Sequence, residues 1–97
     1  MNMQAMLKQA QNMQKDMLRI KKEIDETEFV GESSFVSVTV NGKKEIVNVV
    51  INSDELDKED LDIIADLFVV ATNNAMKKVD EITEKKMAKF GSIPGLF

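Results

Sequence analysis

The chain has 97 residues, a formal net charge of −4, and neither cysteine nor histidine. That length suits one small domain, residues 1–97, with a modest core. Without Cys there is no disulfide, thiolate nucleophile or thiolate metal site, and a reducing cytoplasm suits the chain; without His the commonest general base and metal ligand at neutral pH is missing, so an enzyme, a cofactor or a small-molecule substrate is not expected.

A first helix is expected over about residues 2–26, with Asn2 as its cap. Met3, Met6, Ala10, Met13, Met17, Ile20 and Ile24 alternate at intervals of 3 and 4, the period at which one helix lies along another. Charges inside this amphipathic stretch make it neither a signal peptide nor a membrane span, and no membrane partner is expected. Strands come next, over about residues 28–51. A first one, around Glu28 to Ser33, is kinked at Gly31, and FVSVTV and EIVNVVI form a hairpin around Asn41-Gly42. Matched valines favour a four-residue loop, Asn41 to Lys44, over a two-residue one. That loop sets Val38 opposite Val47, Val36 opposite Val49, Phe35 opposite Val50 and Ser37 opposite Asn48.

A second helix is expected over about residues 57–89, with Asp57 as its cap and Glu59 and Asp60 at the positive end of its dipole. The tail, residues 90–97, reads as a loop. Leu61, Ile64, Phe68, Ala71, Ala75, Val79 and Ile82 repeat the heptad seam, but from Ile63 to Ala71 the helix is apolar nearly all round. One helix and one sheet face cannot cover that surface, so a second copy is inferred, with Ile63, Leu67, Phe68, Val70 and Ala71 at the interface. The fold class is α+β: long helix, three-stranded antiparallel sheet, long helix, in an intertwined homodimer. Helices of about 36 and 48 Å outrun strands of about 23 Å, so the start of the first and the end of the second project as arms.

Charge is unevenly placed. Residues 1–22 carry five basic side chains and one acidic, residues 23–66 three basic and thirteen acidic, and residues 67–97 five basic and three acidic. Basic ends flank an acidic middle. At 100° per residue the seam of the first helix centres near about 250°, while Lys8, Lys15, Arg19 and Lys22 fall on the far side with Gln4 and Asn12, and no acid joins them before Glu26. A row of phosphate contacts fits that pattern, and so does a plain solvated face. In the second helix Lys77, Lys78, Lys85 and Lys86, with Lys89, are mixed with Asp80, Glu81 and Glu84, and the solvated-face reading is stronger there. The run DELDKEDLD lacks the glycine and the ligand spacing of an EF-hand loop. No Gly-rich phosphate loop is present, and no aromatic residue sits in a basic strand.

Taken together, MLKQAQNMQKDM, VTVNGKKEIVNVVI, ATNNAMKKVDEITEKKM and the closing IPGLF resemble the YbaB/EbfC family of bacterial nucleoid-associated proteins, in order and over nearly the whole chain. The resemblance implies a helix–three strands–helix protomer, a tweezer-shaped homodimer, and binding of duplex DNA in the cytoplasmic nucleoid without catalysis. It also implies a part in nucleoid organisation and leaves a role in gene regulation open. It places DNA contacts on the two terminal helices without assigning them to positions. Two departures stand out: Glu32-Ser33-Ser34 replaces a Gly-rich stretch before the second strand, so that connection should be tighter, and a Gly/Met-rich N-terminal extension is nearly absent. A prefoldin-like module, with helices around a hairpin holding unfolded chains, is the rival from another class. Basic helix ends are the feature such a holdase does not need.

Overall fold

The computed structural model describes residues 2–54 and 56–91; most of the expected tail loop lies outside them. Helix α1 spans Met3–Glu26. It starts where the Asn2 side-chain oxygen accepts from the Gln4 N–H at 3.0 Å, satisfying one of the amides that a helix start leaves free. It stops at Thr27, whose hydroxyl donates to the Glu23 carbonyl at 2.6 Å while its own N–H bonds Ile24. Strands β1 (Glu28–Ser33), β2 (Val36–Asn41) and β3 (Ile46–Ile51) form an antiparallel meander in that order. Helix α2, Lys58–Met87, begins at Asp57, whose N–H donates to the Asp60 carboxylate at 2.8 Å. A short 3-10 turn, α3 (Ala88–Phe90), closes at Gly91 with φ +72°.

The β1–β2 connection is tight, as expected: Ser33 pairs with Val36, leaving two residues in the turn with Ser34 at φ 51°. The β2–β3 register differs from the expected one by two residues. Val36 pairs with Ile51, Ser37 with Val50, Val38 with Val49 and Thr39 with Asn48. Two local features cause the shift. The loop has three residues, Gly42 to Lys44, closed by the Asn41 N–H on the Glu45 carbonyl at 3.0 Å, with Lys44 in the left-handed region at φ 62°. The Asn41 side-chain oxygen holds this loop by accepting from the Lys43 and Glu45 amides. A bulge then interrupts the ladder between Thr39 and Val40, adding a second residue to β3. Because the two shifts sum to an even number, valine still faces valine. Phe35, expected in the strand, lies in the turn.

Side chains alternate cleanly on β2: Val36, Val38 and Val40 are buried, and Ser37 and Thr39 are half-buried on the other face. The buried valines meet Phe29 of β1 and Ala71, Ala75 and Val79 of α2. Glycine sets the distance between the layers. A Cβ on Gly31 would lie 2.1 Å from the Ala71 carbonyl oxygen and 2.5 Å from the Ala75 amide nitrogen. Gly31 therefore sits in a regular β1 pairing, opposite Val38, and admits helix backbone rather than making a kink. Gly42 plays the same part for α1: its Cβ would lie 1.9 Å from the Ile24 carbonyl oxygen.

Helix α2 packs on β1 and β2 and leaves β3 uncovered. Beyond the sheet its end runs beside α1, where Met87 and Phe90 pack on Met17, Ile20 and Ile24. The heptad seam of α1 is thus covered in its second half only; residues 2–16 are exposed. The whole is a rod of 71 × 19 × 16 Å.

Candidate nucleic-acid interface

Burial of Met17, Ile20 and Ile24 against α2 turns the opposite side of α1 to solvent. Lys8, Lys15 and Lys22 lie on that side, exposed and, among the described residues, without an ion pair. They recur every seven residues, about 10 Å apart along the axis. Arg19 differs from them. Its guanidinium bonds the Glu23 carboxylate at 3.0 Å and approaches Asp16 at 3.8 Å, so acids from the flank of the helix reach a stripe that the wheel projection had free of them. Both partners are about half exposed, and solvated pairs at this spacing are weak enough for a phosphate to replace them.

Lys43 belongs to the acidic middle of the sequence, yet the fold brings it to Lys22. With Gly42 pressed on Ile24, the hairpin loop abuts the end of α1, and Lys22 and Lys43 line one open hollow with Asp25, Glu26 and Glu28. Those three carboxylates end the cationic stripe there. A second hollow, between α1, the hairpin loop and α2, is lined by Lys21, Asp25, Lys44 and Asp80. Its charges are already matched, Lys21 with Asp25 at 3.2 Å and Lys44 with Asp80 at 2.7 Å.

On α2, Lys77, Lys85 and Lys86 are exposed and, among the described residues, unpaired. Lys78 is not free. Its ammonium donates to the Val30 carbonyl, and Asn74, one turn earlier, donates to the Glu32 carbonyl at 3.3 Å. Together they occupy the outer carbonyls of β1, an edge strand. Lys89 sits 5.1 Å from the centre of the Phe90 ring. Since the α1 stripe faces away from α2, the two sets of lysines do not merge into one patch.

The proposed interface residues divide in the same way. Ala71 is fully buried in the protomer's own core beneath Gly31, so it is unavailable to a partner; only its small side chain lets the helix sit that close. Leu67 and Phe68 are half-buried against the same core, while Ile63 and Val70 are 48 and 47 % exposed. The larger open surface is one that strand alternation could not reveal. All of β3 is exposed, including Ile46, Val47, Val49, Val50 and Ile51. No cluster of three or more acidic side chains suited to a metal occurs among the described residues, and no helix there is long and apolar enough to cross a membrane.

Residues 1–93 match the model of the YbaB/EbfC DNA-binding family. A nucleoid-associated protein of Clostridium novyi is 40 % identical over 102 residues, covering 100 % of this chain and 90 % of its own. One from Streptococcus pneumoniae is 40 % identical over 97 residues, covering 97 % of this chain and 98 % of its own. In three dimensions the chain is similar to an uncharacterized Helicobacter pylori protein, with a TM-score of 0.74 over 95 % of this chain and 99 % of that one; at 22 % identity this is a likeness of fold. The match of family model and relatives over essentially the whole length establishes that the chain belongs to the YbaB/EbfC DNA-binding family.

Proposed function

We propose that the chain is a nucleoid-associated protein that binds duplex DNA as a homodimer, chiefly through phosphate contacts made by Lys8, Lys15, Arg19 and Lys22 on α1. Family membership supports DNA as the partner. The single observation that carries the choice of α1 is the row of three exposed lysines, free of ion pairs among the described residues, on the face turned away from α2. Contacts of that kind hold the backbone and carry no direct sequence information, so preference among sequences is small. Lys77, Lys85 and Lys86 supply secondary contacts.

The homodimer rests on the apolar surface that one chain leaves open. Five side chains of β3, shared between its two faces, are 39–49 % exposed, and Leu61, Ile63, Val69 and Val70 of α2 are 47–62 % exposed. Exposed apolar surface on this scale marks an interaction surface, and a second copy presents the same surface in return. Assembly also doubles the number of cationic stripes that one DNA duplex can meet.

A mobility-shift titration over a salt series tests the stripe. With four to eight phosphates neutralised, log K against log[salt] should slope roughly −4 to −7. Changing Lys8, Lys15, Arg19 and Lys22 together to Ala should flatten that slope and weaken all sequences alike, while the melting temperature barely moves. An unchanged slope would reduce the stripe to a solvated face and move the contacts to α2.

A further inference from the structure

The α1 seam is covered in one half and bare in the other. Met17, Ile20 and Ile24 are 9, 7 and 4 % exposed, whereas Met3, Met6 and Met13 on the same line are 76, 52 and 45 % exposed, with Leu7 beside them at 60 %. The cover on the buried half is the end of α2, through Met87 and Phe90. The helices run antiparallel here: Val79 shares a hollow with Ile24, and Met87 and Phe90 lie further on, with Met17. Among the described residues, no apolar cluster takes up the same line from Met13 back to Met3.

From Asn2 to Lys15 the only charged side chains are Lys8 and Lys15, and both stand on the face opposite the seam. Asn2 and Gln9 border the bare seam on one flank, Leu7 and Gln14 on the other. A partner segment with a charged rim would find no counter-charge there. A second arm of the same sequence brings neutral flanks of its own, and no like charges meet. Direction follows from α2. Two parallel arms would press residues 17–24 of each copy on the α2 that already covers them in the other, whereas antiparallel arms send their covered halves in opposite directions. Turned about position 8, Met3 lies over Met13 and Met6 over Ala10, so all four seam positions are used and Met17 is left to α2. Leu7 then meets Leu7 on one flank, and Gln9 meets Gln9 on the other, where two amides can bond each other.

We propose that the outer turns of α1, residues 3–13, pair antiparallel with the same turns of a second copy, continuing along the seam the kind of contact that α2 makes with Met17, Ile20 and Ile24. This contact is separate from the one at β3 and does not depend on DNA binding. Unbranched thioether side chains let the two seams adjust to each other. Three helical turns from each copy bury less than the about 1,200 Å² at which stable interfaces begin, so one pair of arms holds weakly. Two arms per homodimer, which rests on the reading above, raise the strength by avidity. Lys8 and Lys15 stay on the outside of both arms, and the phosphate contacts remain open.

The chain has no cysteine, so an introduced one provides the only thiol. Full chains carrying Met6→Cys and full chains carrying Ala10→Cys, told apart by a tag and mixed in equal amounts, should oxidise mainly to mixed disulfides, in about tenfold excess over either like pair. The antiparallel register sets the two positions in one layer and holds like positions about 6 Å apart along the axis. Like and mixed pairs in the proportions of random collision, or like pairs in excess, overturn the proposal. A second measurement needs no cysteine. The mass of the native chain by light scattering should rise with concentration above that of the homodimer, and Met6→Glu with Met13→Glu should abolish the rise, since each buries an unpaired charge in the contact. Both positions are exposed in the protomer, so helix content by circular dichroism should not change. The mass at low concentration reports on the contact at β3 and the rise on the arms, so the two readings fail separately. A native chain whose mass does not rise, or a variant that rises as the native chain does, also overturns it.

Discussion

Replacing Gly31 with Ala tests how α2 is seated on the sheet. The added Cβ would lie 2.1 Å from the Ala71 carbonyl oxygen, 2.5 Å from the Ala75 amide nitrogen and 3.0 Å from the Ala75 Cα. Ordinary contact begins at 3.4 Å, and all three obstacles are backbone, so no rotamer change relieves them. The helix has to withdraw by about 1 Å, which loosens Ala71, Ala75 and Val79 from Phe29, Val36, Val38 and Val40 and stretches the Asn74 and Lys78 bonds to β1. Overpacking of a well-filled core costs about 1–3 kcal/mol. A site that cannot yield lies at the upper end, and the lost bonds to the strand add about 1 kcal/mol. Against this, Ala in an extended position gains about 0.5–1 kcal/mol over Gly in backbone entropy. The net expectation is a loss of about 3 kcal/mol, or at least about 12 °C in melting temperature for a chain of this size, at about 4 °C or more per kcal/mol. Urea unfolding at fixed protein concentration measures it, since assembly would otherwise move the midpoint. A loss below about 0.5 kcal/mol, the range of a neutral surface change, would refute the close seating of α2 on β1.

Lys78→Ala should cost about 1 kcal/mol of stability by opening the Val30 carbonyl, while Lys77→Ala, at an exposed position, should cost less than about 0.5 kcal/mol; equal effects in urea unfolding would remove the structural role of Lys78. Val49→Asp with Ile51→Asp puts charge on the open face of β3 and should yield monomers or insoluble protein, read by light scattering. A folded dimer of the double variant would place the contact between copies elsewhere.

The order of elements and nearly all of their ends could be read from the chain. Asn2 and Asp57 cap the helices where side-chain chemistry puts them, and the breakers Gly31, Gly42 and Gly91 bound long uninterrupted runs. What escaped depended on three dimensions. The hairpin register turned on an Asn41 side chain folded into its own loop and on a bulge, neither of which alters the alternation of valines. Gly31 looks like a kink because the pressure of a helix backbone leaves no mark in the sequence. The candidate site was legible in part. Lys8, Lys15 and Lys22 are placed by helical period alone, but the engagement of Arg19 by Asp16 and Glu23 depends on side-chain reach, and the edge-capping role of Lys78 depends on a strand 48 residues away. The buried place of Ala71 is not legible, because an apolar helix shows no preferred side until its neighbours are known.

Ile82 touches both apolar clusters, the one under the sheet and the one between the two helices. It does so on a helix of 30 residues that contains no glycine or proline. Sharp bends in helices arise at such residues or at inserted side chains, so α2 has no built-in hinge where it leaves the sheet. It behaves as one beam, anchored at Gly31 and clamped to α1 near its far end. A load applied to α1 where it meets α2, at Met17, Ile20 and Ile24, is therefore passed to the sheet rather than absorbed by a flexing joint in α2.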